Sequence, residues 1–271
     1  MDSDEAVIRA ATWNVWWRFS DAWEQRERGI MKTLRDLAPD IVGLQESWEL
    51  DGTSQAGVLG EALGMHGAFV GPGLPPIPDP LEHEGQERVT MGLGLLSRWP
   101  ISDLVAHPMP SSDRALVALV ASIDHPLGPL HVIVAALSWE PEKLDETGEQ
   151  VLELARLAGN ESFDGPLPVL VLADCNYDFT FAPLQQLSET MTDAWGAVND
   201  AQLEDPRTLS ETNRFAPPEA VAQYNHRIDH VLVRAGERGA PVDVRDAWIV
   251  RDEFDGLPPS DHYLVVADIA V

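Results

Sequence analysis

Lysine is nearly absent from this chain: of 18 basic residues only Lys32 and Lys143 are lysines, and 45 acidic residues set the formal charge at −27. Such a surface repels polyanions over most of its extent, so general binding of DNA or RNA is not expected, although a local cationic pocket or a bound metal still accepts a single phosphate. Taken alone, the acidity reads first as solubility. Cysteine is scarcer still. Cys175 stands alone, which excludes an internal disulfide framework and gives no support for a thiolate metal cluster. No apolar run approaches the roughly 20 residues of a membrane helix. Residues 1–5 are acidic and lead into a strand-like run without the basic and apolar regions of a secretion signal. The default expectation is a soluble cytoplasmic protein, away from membranes and of open oligomeric state.

What the chain does have is core material. At 271 residues and 44% hydrophobic composition it can bury a substantial interior. Short runs rich in Val, Leu and Ile, bounded by Pro, Gly or Asp, predict strands over 7–15, 41–45, 92–97, 115–123, 130–137, 169–173, 228–233, 242–250 and 263–271. Helical spacing of apolar residues predicts helices over 23–37, 53–63 and 144–158. Strands outnumber helices and do not alternate with them, so a doubly wound parallel sheet fits poorly. The expected fold is α/β, with two sheets packed face to face and helices outside, in a single domain over 1–271. Residues 71–80 carry five prolines and predict an exposed loop or lid, which continues through the acidic stretch 81–87 with His83. A second irregular segment is expected over 200–224.

Five short segments place polar groups at the ends of these apolar runs, where a scaffold holds functional residues at a loop mouth. They are Thr12-Trp13-Asn14-Val15, Gly43-Leu44-Gln45-Glu46-Ser47, Leu172-Ala173-Asp174-Cys175-Asn176, Arg227-Ile228-Asp229-His230 and Ser260-Asp261-His262. Any one of them is weak, because Asn or Asp after a strand is usually a turn residue or a helix cap. Five in one chain argue for a shared site. A hard cation such as Mg²⁺ or Mn²⁺ takes oxygen ligands, keeps waters and uses one or two carboxylates. Glu46 is the first choice for a direct metal ligand. Asp174 and Asp261 either bind metal or orient water, while Asn14 and Asn176 offer amide dipoles without added charge. His262 suits a general base or a donor to a phosphoryl oxygen, with Asp229 as its orienting partner.

Substrate contacts have weaker signals. Trp16 and Trp17 are adjacent and point to opposite sides of an extended chain, so one of them, Trp17 among the candidates, is expected at the site mouth. Arg18, Arg88, Arg214 and Arg227 are candidate bidentate clamps, Arg227 first because it precedes Asp229. For each, pairing with a surface carboxylate is the commoner fate. His226 is a further candidate, against the commoner reading of an exposed loop histidine.

Together the TWN, LQE, D-x-N, RID and SDH elements, with the stretch Gly94-Leu95-Leu96-Ser97-Arg98-Trp99-Pro100-Ile101, resemble the endonuclease/exonuclease/phosphatase family, the superfamily of deoxyribonuclease I. The resemblance runs over about residues 9–270. It implies a four-layer α/β sandwich, a Mg²⁺-dependent site at one edge, and in-line attack of an activated water on phosphorus. By motif match Glu46 holds the metal, Asn14 and Asn176 contact phosphate or nucleophile, Asp174 orients the nucleophile, and Asp261 and His262 close the site with Asp229 behind the histidine.

Two expected elements are missing. Where the family places a histidine after the strand at 130–134, this chain has Ala136, followed by Leu137. Where bacterial relatives carry an arginine three residues before Gln150, it has Thr147. Such a histidine contributes roughly 10²–10⁴ in rate. The leading reading is a metal-dependent phosphoesterase acting on a small phosphorylated molecule. Beside it stand a non-hydrolytic cyclase or lyase that keeps the cation as a Lewis acid, and a pseudoenzyme or binding module.

Overall fold

Residues 6–271 are described by the computed structural model; the acidic start at residues 1–5 lies outside them. One sheet contains β1 (Val7–Asn14), β2 (Ile41–Leu50), β3 (Thr53–Ser54), β4 (His66–Val70), β5 (Val89–Ser97), β12 (Val244–Val250) and β13 (Leu264–Ala270). Its order is β12-β13-β1-β2-β5-β4, with β3 paired to β2. The other contains β6 (Ile101–Pro108), β7 (Val117–His125), β8 (Gly128–Ala136), β9 (Val169–Asp174), β10 (Thr192–Asp193) and β11 (Asp229–Arg234), in the order β10-β11-β9-β8-β7-β6. Both sheets are mixed, since β1 runs parallel to β2 and β8 parallel to β9 while the other neighbours are antiparallel.

Side-chain alternation divides each strand between two cores. Ile8 and Ala10 of β1, Val132 and Val134 of β8, and Leu170 and Leu172 of β9 meet between the sheets. Their neighbours face outward. Ala11 and Trp13 pack under Ile30 and Leu34 of α1 (Trp23–Leu37) and Leu59 of α2 (Gln55–Leu63). On the opposite side, Ile133, Ala135, Val171 and Ala173 pack under Val151 and Leu154 of α3 (Leu144–Ala158) and Leu184 of α4 (Ala182–Leu187). The result is the expected four layers, helix, sheet, sheet, helix. At Gly43 the sheets approach so closely that a Cβ would lie 2.7 Å from Leu172 Cβ, which no side chain there tolerates.

The helices at 23–37 and 144–158 lie where the periodicity put them, and the third begins two residues later than expected, after β3. β4 and β6 were not legible. β6 is an edge strand with most of its residues exposed, so it carries no alternation to detect. The segment 200–224 is irregular until α6 (Pro218–Tyr224), and α5 (Ala194–Val198) precedes it.

Candidate active site

The same alternation that builds the inner core carries it into chemistry at the strand ends. Asn14 continues the Ile8–Ala10 face of β1, Asp174 the Leu170–Leu172 face of β9, and Asp229 precedes the inward Val231 of β11. Ala136 stands directly beside Asp174 in the β8–β9 register. Glu46 reaches the same crevice by a different device: the pairing of β2 with β5 slips between Leu44 and Ser47, and Glu46 adopts φ 54° at that bulge. Asn176 is likewise left-handed, at φ 55°. Left-handed non-glycine residues cost energy and cluster where function fixes the backbone.

Hydrogen bonds tie these groups into one unit. Asn14 Nδ2 donates to Glu46 Oε1 and to Asp174 Oδ2, each at 2.9 Å. The Asn176 amide donates to Asp174 Oδ1 at 2.9 Å, and Asn176 Nδ2 to the Leu137 carbonyl at 2.9 Å. His262 Nδ1 lies 2.9 Å from Asp229 Oδ2. Ser260 Oγ donates to the Asn14 carbonyl at 2.6 Å, linking the SDH segment to β1. Asn14, Glu46, Asp174, Asn176, Asp261 and His262 line a cleft of about 150 Å³ together with Leu74, Trp139 and Tyr224, while Asp229 stands buried behind His262. Larger depressions, of about 430 and 380 Å³, are lined by none of these groups.

The electrostatics suit a bound cation. Burial holds the Glu46 carboxyl well above the ordinary range, and the charge of Asp261 adds to the effect against the opposing Asn14 hydrogen bond. Burial likewise raises Asp174, reinforced by Asp229, and it raises Asp261. Burial alone would lower His262, but the charge and hydrogen bond of Asp229 outweigh it and hold the imidazole well above its usual value. Asp174, Asp229 and His262 present ligand atoms within 4.8 Å of one another. That trio is largely satisfied by its own His–carboxylate pair, although Asp229 Oδ1 is buried without a partner. Among the described residues Glu46 and Asp261 have no such cationic partner in hydrogen-bond contact; Ser260 Oγ donates to Asp261 Oδ1 at 3.3 Å. A hard divalent ion fits this donor set, with Glu46 and Asp261 as its natural holders and Asp174 adjacent.

The candidate substrate contacts are placed elsewhere. Arg227 grips Asp193 through Nη1 at 2.8 Å and Nη2 at 2.6 Å and lies over the Trp195 ring at 5.0 Å, so its fork is already occupied. Arg88 pairs with Asp51 on the surface. His226 is exposed and sits 3.5 Å from Asp178. Trp17 is buried and packs edge-on against Phe19 at 5.4 Å, away from the cleft. Arg18 lies over Trp48 and Arg214 over Phe215. Thr147 is turned inward and donates to the Ser138 and Lys143 carbonyls. For the arginines the cause is shared: in a chain with 45 acidic residues and nine tryptophans, a guanidinium finds a carboxylate or a ring before it reaches a substrate. The residues that sequence reasoning missed are Trp139, Tyr224 and Leu74 in the cleft wall, and Arg26 beneath it. Only Arg26 left a signal, since it shares the helical stripe of Ile30 and Leu34.

The Arg227 pair yields a stability prediction. Burial pushes the Asp193 carboxyl up, but the His230 hydrogen bond and the Arg227 charge prevail and hold it well below the usual range. A carboxylate with a depressed folded pKa stabilises the fold above its unfolded value of about 3.9 and loses that contribution as pH falls through the folded value. Asp193→Asn is expected to cost about 3 kcal/mol at pH 7, with the deficit narrowing below about pH 4. Urea unfolding at both pH values measures this; a deficit independent of pH would remove the charge from the explanation.

Comparison with known proteins bears on the whole chain. The sequence matches the Endonuclease/Exonuclease/phosphatase family over residues 11–262. No curated protein matches it significantly. Among solved structures, D. rerio TDP2 complexed with a single-strand DNA product is 16% identical, with a TM-score of 0.74 over 98% of this chain and 100% of that one. The human Nocturnin catalytic domain with bound sulfate is 19% identical, with a TM-score of 0.73 over 98% and 97%. An endonuclease/exonuclease/phosphatase protein of Beutenbergia cavernae is 20% identical, with a TM-score of 0.72 over 98% and 72%. The DNA-bound TDP2 structure on this fold overturns the expectation, drawn from net charge, against general nucleic-acid binding. Charge is screened over about 8 Å at physiological salt, so a global excess of carboxylates does not decide what a local phosphate site accepts. Among the described residues no helix is long and apolar enough to cross a membrane. Motifs, four-layer fold and family match agree, and the chain belongs to the endonuclease/exonuclease/phosphatase family of metal-dependent phosphoesterases.

Proposed function

We propose that the chain hydrolyses a phosphoester of a small phosphorylated molecule, using Mg²⁺ or Mn²⁺ and an activated water. The observation that carries this reading is the convergence of Glu46, Asp174 and Asp261 with the Asn14 and Asn176 amides and the His262–Asp229 pair in one small cleft. Glu46 and Asp261 would hold the divalent ion, which when bound would supply Lewis acidity at a phosphoryl oxygen. Asp174, fixed by Asn14 Nδ2 and the Asn176 amide, orients the attacking water and accepts its proton, a task suited to its raised pKa. His262, kept protonated by Asp229, donates to the phosphoryl oxygens as charge builds on them. Asn14 fixes the distance between the metal-holding and water-orienting carboxylates.

A panel of phosphomonoesters, phosphodiesters and pyrophosphates, assayed with Mg²⁺, Mn²⁺ and chelator, tests the reading. At least one class is expected to be cleaved only with metal, and Asp174→Asn to slow it by about 10²–10⁴. A panel untouched with every metal sinks the proposal.

A second reading, a non-hydrolytic reaction on the same cation, is favoured by the β8 wall, where Ala136 offers no donor and Thr147 is turned away. Ala136→His separates the two. A gain of hydrolysis on generic phosphodiesters supports intact hydrolytic machinery; no gain favours the non-hydrolytic use.

A further inference from the structure

The cleft is divided. Its strand-end lining carries the polar groups beside Ala136 and Ile228, but the wall built by the loops is apolar: Leu74 and Pro75 come from the proline-rich loop, Trp139 from the turn after β8, Leu209 from the segment before α6, and Pro217, Ala220 and Tyr224 from α6 and its N-cap. No Arg or Lys side chain lines the cleft among the described residues. Substrates carrying several phosphates need distributed cations, and here the arginines near the strand ends are engaged with Asp193, Asp51 and aromatic rings.

The Tyr224 hydroxyl and the Trp139 carbonyl are spent on the wall itself. The Tyr224 hydroxyl donates to the Trp139 carbonyl, and Tyr177 Oη lies 3.5 Å from the same oxygen. Tyr177 stands edge-on to Tyr224 at 5.9 Å and stacks on Phe181 at 4.5 Å, which braces the wall from behind. These contacts leave the Trp139 indole N–H as the side-chain donor of this pair not engaged with the wall, too little to bind a sugar or polyol, while both rings line the cleft as contact surface, the Trp139 ring with Arg114 at 5.8 Å from its centroid. The volume of about 150 Å³ is half the lower bound of roughly 300 Å³ for sites enclosing drug-sized ligands. It suits one phosphoryl group and the single substituent next to it, whatever the rest of the substrate outside the cleft.

Resting on the hydrolytic reading above, we propose that this wall is a subsite for an apolar substituent, so that the substrate is a phosphate ester of a hydrophobic alcohol and not a sugar phosphate or polyphosphate. The phosphoryl group lies on the carboxylate and amide floor, and the ester carbon skeleton lies against Leu74, Trp139, Ala220 and Tyr224.

Phosphonates separate this subsite from turnover because their P–C bond is not hydrolysed. Calorimetry of the full chain with Mg²⁺ is expected to find phenylphosphonate bound about 10-fold more tightly than methylphosphonate. Trp139→Ala and, on the neighbouring helix, Ala220→Asn should each reduce that ratio to about twofold or less while leaving the affinity for methylphosphonate within about twofold. Two variants from separate elements guard against one that fails to fold, and thermal melting identifies such a failure. Equal affinity for the two phosphonates, tighter binding of the methyl compound, or no binding of either overturns the subsite. Preferential binding of phenylphosphonate without cleavage of any ester leaves the subsite standing and removes the hydrolytic reading. Cleavage of esters without a phenyl preference does the reverse.

Discussion

Glu46→Gln is expected to lower metal-dependent turnover by about 10²–10³-fold and to weaken Mg²⁺ binding, without unfolding the chain. The substitution keeps the length of the side chain and an amide oxygen for Asn14 Nδ2, so the hydrogen bond at 2.9 Å has a replacement. What it removes is the negative charge. Loss of a stabilising contact worth several kcal/mol in the transition state corresponds to this range. The raised pKa gives a second readout. A carboxyl held above the ordinary range by burial and by Asp261 must release a proton to bind a cation, so Mg²⁺ affinity is expected to increase with pH across the neutral range. Calorimetry in two buffers of different ionisation enthalpy counts the protons released, and Glu46→Gln should release fewer. Unchanged affinity and proton release would move the metal to the Asp174–Asp229–His262 cluster, where ligand atoms also converge.

How much of this was legible without coordinates depended on the kind of interaction. The layers were legible because burial on one face imposes a period on the sequence, and 23–37 and 144–158 carry that period throughout. The strand-end motifs were legible because Asn14, Glu46, Asp174, Asp229 and Asp261 are polar residues interrupting apolar runs, and the fold brings those interruptions to one crevice. The arginines were not legible. Whether Arg227 meets a substrate or Asp193 depends on a partner 34 residues away, and composition says only that carboxylates are plentiful. The cleft wall was equally hidden, since Leu74, Trp139 and Tyr224 come from three segments with no shared period. The bulge at Glu46 likewise arises from the pairing of β2 with β5, a tertiary event that the residues of β2 do not announce.

Arg26→Met is expected to destabilise the fold by about 3–5 kcal/mol and to weaken metal binding, although Arg26 hydrogen-bonds to neither Glu46 nor Asp261. Its guanidinium is buried, 1% exposed, and donates to the carbonyls of Val15 at 3.1 Å, Trp16 at 2.6 Å, Trp17 at 2.8 Å, Asp21 at 2.9 Å and Pro259 at 3.2 Å. The first three follow Asn14 and the last precedes Ser260-Asp261-His262. One side chain therefore fastens the two loops that present the amide and the closing carboxylate. Burial lowers its pKa to about 10, against the opposing pull of Asp261 and Glu46, so it stays charged at neutral pH and offsets part of their repulsion. Methionine fills much of the same space but leaves those carbonyls without a donor, at about 1–3 kcal/mol for each that water does not reach. Arg26→Lys restores the charge but not the fork, since an ammonium cannot reproduce the planar spread of donors. Urea unfolding should therefore rank wild type above lysine and lysine above methionine. If charge compensation matters independently of loop geometry, Mg²⁺ affinity should recover more fully in the lysine variant than stability does. Equal stability of all three chains would mean that solvent satisfies the two loops, and Arg26 would then have no part in shaping the site.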